Sequence, residues 1–186
     1  PQVTSYDYDA LLDERGNPTD KYYAVQRMLK EYYPEYPQME PLVKESFEFR
    51  NIPLSQKVSL FETLPDLAEP IESLYPMKME ELGQNVGYLL YRTWASWDAD
   101  QERLRVIDGR DRMQLYVDGQ HIATQYQTEI GQDIMVDGQK KAEYQLDILM
   151  ENMGRVNYGH KLLADTQQKG IRTGVCKDLH FMLDWQ

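Results

Sequence analysis

One cysteine, Cys176, stands among 186 residues, so no disulfide can form within the chain. That scarcity suits a reducing compartment and tilts the reading slightly toward the cytoplasm. Apolar stretches are short, and none approaches the roughly 18 residues of a membrane-spanning helix, so no span is expected. Cations are outnumbered: 20 lysines and arginines face 31 aspartates and glutamates, for a net charge of -11. A nucleic-acid partner is thereby excluded, because binding a phosphate backbone needs a basic stripe that displaces counterions. The three histidines, His121, His160 and His180, show neither i,i+4 nor zinc-type spacing, so no metal site is expected. Neither a glycine-rich phosphate loop nor a Ser/His/Asp or Cys/His arrangement can be read, and no cofactor is implied. What is present, 41% hydrophobic and 27% charged residues, suffices for one medium domain and an appendage.

The chain begins with a polar, aromatic-rich strand, Val3-Thr4-Ser5-Tyr6-Asp7-Tyr8-Asp9-Ala10. An opening strand normally supplies alternating apolar residues to a core, and this one supplies tyrosines and carboxylates, so it reads as the end of something larger. Residues 11–17 have turn composition, and Thr19 is placed to cap a helix over residues 20–33. In that helix Tyr22, Val25, Leu29 and Tyr32 recur at helical spacing, and Pro34 ends it. Prolines at 34, 37, 41, 53, 65 and 70 then mark a connector, within which residues 47–50 and 57–61 have the alternation of short strands. The remainder reads as β: strands are expected over residues 86–93, 112–117, 121–127, 144–150, 171–176 and 179–185, with Asp118-Gly119 as a hairpin turn. Seven or eight such strands at this spacing predict a sandwich or jelly roll.

Three stretches carry candidate chemistry. Asp7 and Asp9, two apart on a strand, leave one face roughly 7 Å from each other. Glycosidase carboxyl pairs lie about 5–5.5 Å apart when the enzyme retains configuration and about 6.5–9.5 Å when it inverts. Anchoring of the following turn explains the pair more simply. Asp98, Asp100 and Glu102 resemble the opening of a calcium loop, but Arg103 stands where the sharp turn demands glycine, which leaves a solvated acidic loop. Residues 151–159, Glu-Asn-Met-Gly-Arg-Val-Asn-Tyr-Gly, follow a convincing strand with amide, guanidinium, phenol and two glycines. Such a loop either offers Arg155, Asn157 and Tyr158 to a sugar or forms a corner tied by Asn152 and Arg155.

The opening motif, with Gly16-Asn17-Pro18-Thr19, Lys21-Tyr22, Ser73-Leu74-Tyr75-Pro76, Leu90-Tyr91-Arg92-Thr93, Val117-Asp118-Gly119 and residues 151–159, resembles the β-galactosidases of glycoside hydrolase family 35. The likeness runs collinearly over nearly the whole chain. It implies a mainly β fold: residues 1–33 the last strand-helix unit of a (β/α)8 barrel, 34–69 a connector, and 70–186 a jelly-roll, galactose-binding-like sandwich. A barrel takes about 250 residues and holds its active site at the C-terminal ends of its strands, which gives the polar opening strand a purpose. The family is retaining, and its two catalytic glutamates fall at strand ends preceding this sequence. The resemblance further implies that Tyr8 and Tyr158 contact substrate, that Arg155 and Asn157 build the structural turn, and that the partners are β-galactosides and the rest of the barrel. Two alternatives stay open: a stand-alone, non-catalytic carbohydrate-binding module, and a domain that only buttresses a barrel.

Overall fold

In a computed structural model of the protein, residues 8–37, 39–138 and 142–186 are described. The chain divides into two compact units, Val3–Lys57 and Val58–Gln186.

In the first unit most of the expected opening strand, residues 3–7, lies outside the described residues, and Tyr8 and Asp9 form a turn. The loop that follows is built on Asp13, whose carboxylate accepts the backbone N–H groups of Arg15 (2.9 Å) and Asn17 (2.8 Å). Gly16 sits there at φ +81°, a conformation open to glycine without a Cβ penalty. Helix α1 (Asp20–Tyr32) starts where Thr19 accepts the Tyr22 N–H and ends before Pro34. Asn17 is buried and clamps the connector by accepting the Lys44 N–H (2.7 Å) and donating to its carbonyl (3.2 Å).

The strand expected over residues 47–50 does not form. Phe47 and Phe49 stack edge to face at 4.9 Å, but both are exposed, and among the described residues no neighbour takes up the backbone groups, without which alternation cannot become a strand. The strand expected over 57–61 is also absent. Leu60, Phe61, Leu64 and Leu67 recur with a helical period, and in the second unit they form helix α2 (Leu60–Leu67).

The rest of that second unit is two antiparallel four-stranded sheets. In chain order the strands are β1 (Gly87–Ser96), β2 (Gln101–Arg110), β3 (Arg112–Val117), β4 (Gln120–Tyr126), β5 (Ile134–Asp137), β6 (Glu143–Asn152), β7 (Gly170–Lys177) and β8 (His180–Phe181). One sheet runs β1-β6-β3-β4, the other β5-β2-β7-β8. Their inner faces meet in a core that includes Leu104 and Val106 of β2, Met113 and Leu115 of β3, Leu146, Ile148 and Met150 of β6, and Ile171 and Val175 of β7. Asp118 and Gly119, at φ +49° and +77°, make the type I′ turn that matches strand twist between β3 and β4.

Two further expectations need correction. Residues 179–185 are not one strand: Asp184 at φ +58° interrupts the extended run, and Trp185 instead pairs with Ser73 while Gln186 closes the β1 edge through Arg92. Glu102 is no part of a solvated loop. It is 1% exposed in β2, accepts the Tyr144 hydroxyl (3.0 Å) and the Asp98 N–H (2.7 Å), and lies 3.5 Å from Lys177 Nζ. Burial, followed by that carboxylate, pushes the Tyr144 phenol well above its usual range, so it remains a donor. No helix among the described residues is long and apolar enough to cross a membrane.

Candidate functional site

In the first unit the candidate is the turn that opens the described chain. Tyr8 is fully exposed, and Lys21 Nζ fixes the next residue by donating to the Asp9 carbonyl (2.6 Å) and carboxylate (3.0 Å). Asp7 lies outside the described residues, so the Asp7/Asp9 pair has no measured separation.

In the second unit the candidate is the loop that leaves β6. Asn152, the last residue of the strand, accepts the Gly154 N–H (3.0 Å) and donates to the Asn85 carbonyl (2.9 Å). The Met153 N–H goes to Asp111 Oδ2 (2.9 Å). Asp111 is buried, and both its oxygens accept from Lys169 Nζ at 2.7 and 2.6 Å. The Lys169 backbone N–H in turn reaches both oxygens of Glu80 at 3.0 Å. Glu80 completes the ring by pairing with Arg155, whose Nε donates to Asn85 (3.3 Å). One continuous polar chain, Met153 to Asp111 to Lys169 to Glu80 to Arg155, therefore holds the loop at two points.

Beyond Arg155 the loop is presented outward. Val156, Asn157 and Tyr158 are exposed, Tyr158 by 90%, and no hydrogen bond engages the Asn157 side chain among the described residues. The corner is thus tied by Asn152 and Arg155, while Asn157 and Tyr158 project from it. A rigid root with an exposed phenol and amide suits a neutral polar ligand: the ring covers an apolar face and the amide both donates and accepts. No group of three or more potential metal ligands occurs among the described residues.

Glu80, Asp111 and Lys169 escape a reading of the sequence. Glu80 and Lys169 stand 89 residues apart, and neither lies in a motif. Their chemistry has a measurable consequence. Burial alone would raise the Glu80 carboxyl, but the Arg155 guanidinium and the Lys169 N–H outweigh it and hold it below the ordinary value of 4.5. A carboxyl with a depressed folded value contributes stability above its unfolded value and loses it as pH falls through the folded one. Urea midpoints of the native chain should therefore drop below about pH 4.5 more steeply than those of Glu80→Gln. Equal slopes in the two proteins would remove Glu80 from the account.

Residues 76–186 match the family described as "Beta-galactosidase, first all-beta domain", and residues 1–32 match "Glycosyl hydrolases family 35". The β-galactosidase of Xanthomonas manihotis is 33% identical over all of this chain and 30% of its own length. That of Felis catus is 33% identical over all of this chain and 28% of its own, and that of Homo sapiens 33% identical over 99% and 27%. The chain thus spans about three tenths of the length of these relatives. It belongs to the family 35 glycosyl hydrolase β-galactosidases and carries their first all-β domain.

Proposed function

We propose that this chain is the part of a retaining β-galactosidase that supports the catalytic barrel and walls its substrate pocket. The whole enzyme removes terminal non-reducing β-D-galactosyl residues through a covalent galactosyl-enzyme, with both catalytic glutamates supplied from outside these 186 residues. Tyr8 and Tyr158 contact the galactosyl unit; Arg155 anchors the loop and Asn157 stands beside Tyr158 on it. The observation that carries this reading is an exposed tyrosine on a loop rooted in a buried ion pair, within a domain of this family. The names of the matched relatives favour the enzyme over a stand-alone binding module. The first unit supports a barrel partner, since α1 has no buried residue and Leu42, Phe47, Ile52 and Leu54 are left exposed.

The division of labour is tested with an aryl β-galactoside. The pure 186-residue chain should release no aglycone above the uncatalysed rate, whereas the longer enzyme that contains it should turn over. Hydrolysis by the pure chain would show that it holds its own acid and nucleophile.

A further inference from the structure

Between α1 and α2 the described residues form neither helix nor strand, and residues 42–59 are all exposed. Asn17 holds the first part of this connector through Lys44, and Arg15 Nη1 donates to the Ser46 hydroxyl (2.9 Å). Beyond Ser46 the tethers stop. Among the described residues, no backbone N–H or C=O of residues 47–58 has a hydrogen-bond partner within the protein.

That backbone matters to a protease, which takes its substrate as an extended strand and pairs with the segment around the bond it cuts. Most of a folded chain must open locally before it is cut, because its backbone groups are already bonded and its side chains packed. Residues 47–54 have no such bonds to give up, and their side chains are exposed, Leu54 by 92%.

Within this stretch stands one basic residue, Arg50. Its described partner is the nearby Glu48, at 3.3 Å, with the two side chains 81% and 72% exposed, and a surface pair of this kind is worth little. Lys57 also has an unbonded backbone, but Val58 and Ser59 lead straight into α2, whose first turn must unwind before a protease can pair beyond that bond. The other described basic residues outside helices and strands are engaged. Lys44 has both backbone groups on Asn17, the Lys78 carbonyl accepts the Glu81 N–H (3.1 Å), and the Lys161 carbonyl accepts the Ala164 N–H (3.1 Å). Arg15 is tied to Asp13, and Arg155 and Lys169 are locked in the root of the loop that leaves β6.

We propose that Arg50–Asn51 is a processing site, at which a protease selective for basic residues hydrolyses the peptide bond and leaves residues 51–186 folded. Water supplies the hydroxyl that ends up on the Arg50 carbonyl and the proton that ends up on the Asn51 nitrogen, so the products carry a new carboxylate and a new ammonium. The cut falls close to the boundary between the two compact units, at Lys57 and Val58, and breaks no hydrogen bond. Strands β1 to β8 and the core between the sheets lie on its C-terminal side, while Asn17 and Lys44 stay together on the other.

The test is brief digestion of the full 186-residue chain with trypsin at low enzyme ratio, read by intact mass and by thermal melting of the products. The first cut is expected after Arg50, giving fragments 1–50 and 51–186, with a slower cut after Lys57. Fragment 51–186 should keep the melting midpoint of the intact chain and resist further digestion. Arg50→Gln should slow the first cut about tenfold or more and leave the slower one at Lys57, and Arg50→Lys should restore cleavage at residue 50. Since the Arg50 side chain meets only Glu48 among the described residues, neither substitution should move the melting midpoint. The site is overturned if the first cut falls elsewhere, if Arg50→Gln is cut as fast as the native chain, or if fragment 51–186 is degraded as quickly as it forms.

Discussion

Replacing Lys169 by methionine should lower the stability of the 186-residue chain by about 3–5 kcal/mol. The methionine keeps most of the stem volume but removes the ammonium, leaving the Asp111 carboxylate buried with one remaining donor, the Met153 N–H. Removing one member of a buried pair costs far more than the pair contributes, because the survivor keeps its desolvation penalty and loses its partner. Two controls separate that mechanism from a packing defect. Lys169→Met combined with Asp111→Leu should recover part of the loss, since no charge is then stranded, although the Met153 N–H stays unpaired. Lys169→Arg should be milder than Lys169→Met. Hydrogen exchange should localise the damage, with the Met153 amide, bound to Asp111, losing protection first and the neighbouring Gly154 amide next. A loss below about 1 kcal/mol would mean that the pair does not hold the loop.

Gly170→Ala should cost about 3 kcal/mol, from two separate terms. Gly170 sits at φ +85°, where a Cβ is strained whatever the space around it. Here the space is also occupied: the new Cβ would lie 2.3 Å from the Tyr91 hydroxyl and 3.3 Å from the Met79 nitrogen. That hydroxyl donates to the Met77 carbonyl (2.6 Å) and accepts the Ile171 N–H (3.1 Å), so pushing it aside breaks both bonds. The two terms separate in a double-mutant cycle. Tyr91→Phe alone forfeits the hydrogen bonds, and in its background Gly170→Ala meets no hydroxyl, so the double variant should lose clearly less than the sum of the singles. Strict additivity would show that Tyr91 is not what excludes the methyl group.

Much of this fold can be read from local pattern, and the unread parts have a common cause. Strand β3 was expected at residues 112–117 and lies there because Met113, Leu115 and Val117 alternate with half-buried neighbours, and Asp118-Gly119 marks its turn. Strand β6 showed one face, Leu146, Ile148 and Met150, but not the burial of Asp147 and Leu149 on the other, which depends on α2 and β1 far away in sequence. Strand β2 went unread. Its inner residues Glu102, Leu104 and Val106 alternate correctly, but a carboxylate at the first inward position imitates a solvated loop. That burial is tolerated because Tyr144, 42 residues on, donates to it, and nothing in the neighbourhood of Glu102 announces the partner. Strand β5 offers only Ile134 and Val136, too few residues to establish a period.

The candidate site divides in the same way. Residues 151–159 were legible because amide, arginine, tyrosine and two glycines crowd into nine positions after a strand. The groups that make the loop rigid were not, since Glu80, Asp111 and Lys169 meet only once the sheets have assembled. A motif thus marked the exposed half of the candidate loop, and tertiary contacts supply its root.

In the proposed function a fixed loop places Tyr158 against substrate. Steady-state kinetics of Tyr158→Ala and Tyr158→Phe, in a longer protein that includes this chain and has the proposed β-galactosidase activity, decide the matter. Tyr158→Ala should lower kcat/KM by about tenfold or more, or roughly 1.4 kcal/mol of transition-state binding, with unchanged thermal stability. Tyr158→Phe should retain the part owed to the ring. Full kcat/KM in Tyr158→Ala, at native stability, would contradict the claim and leave this domain as a buttress alone.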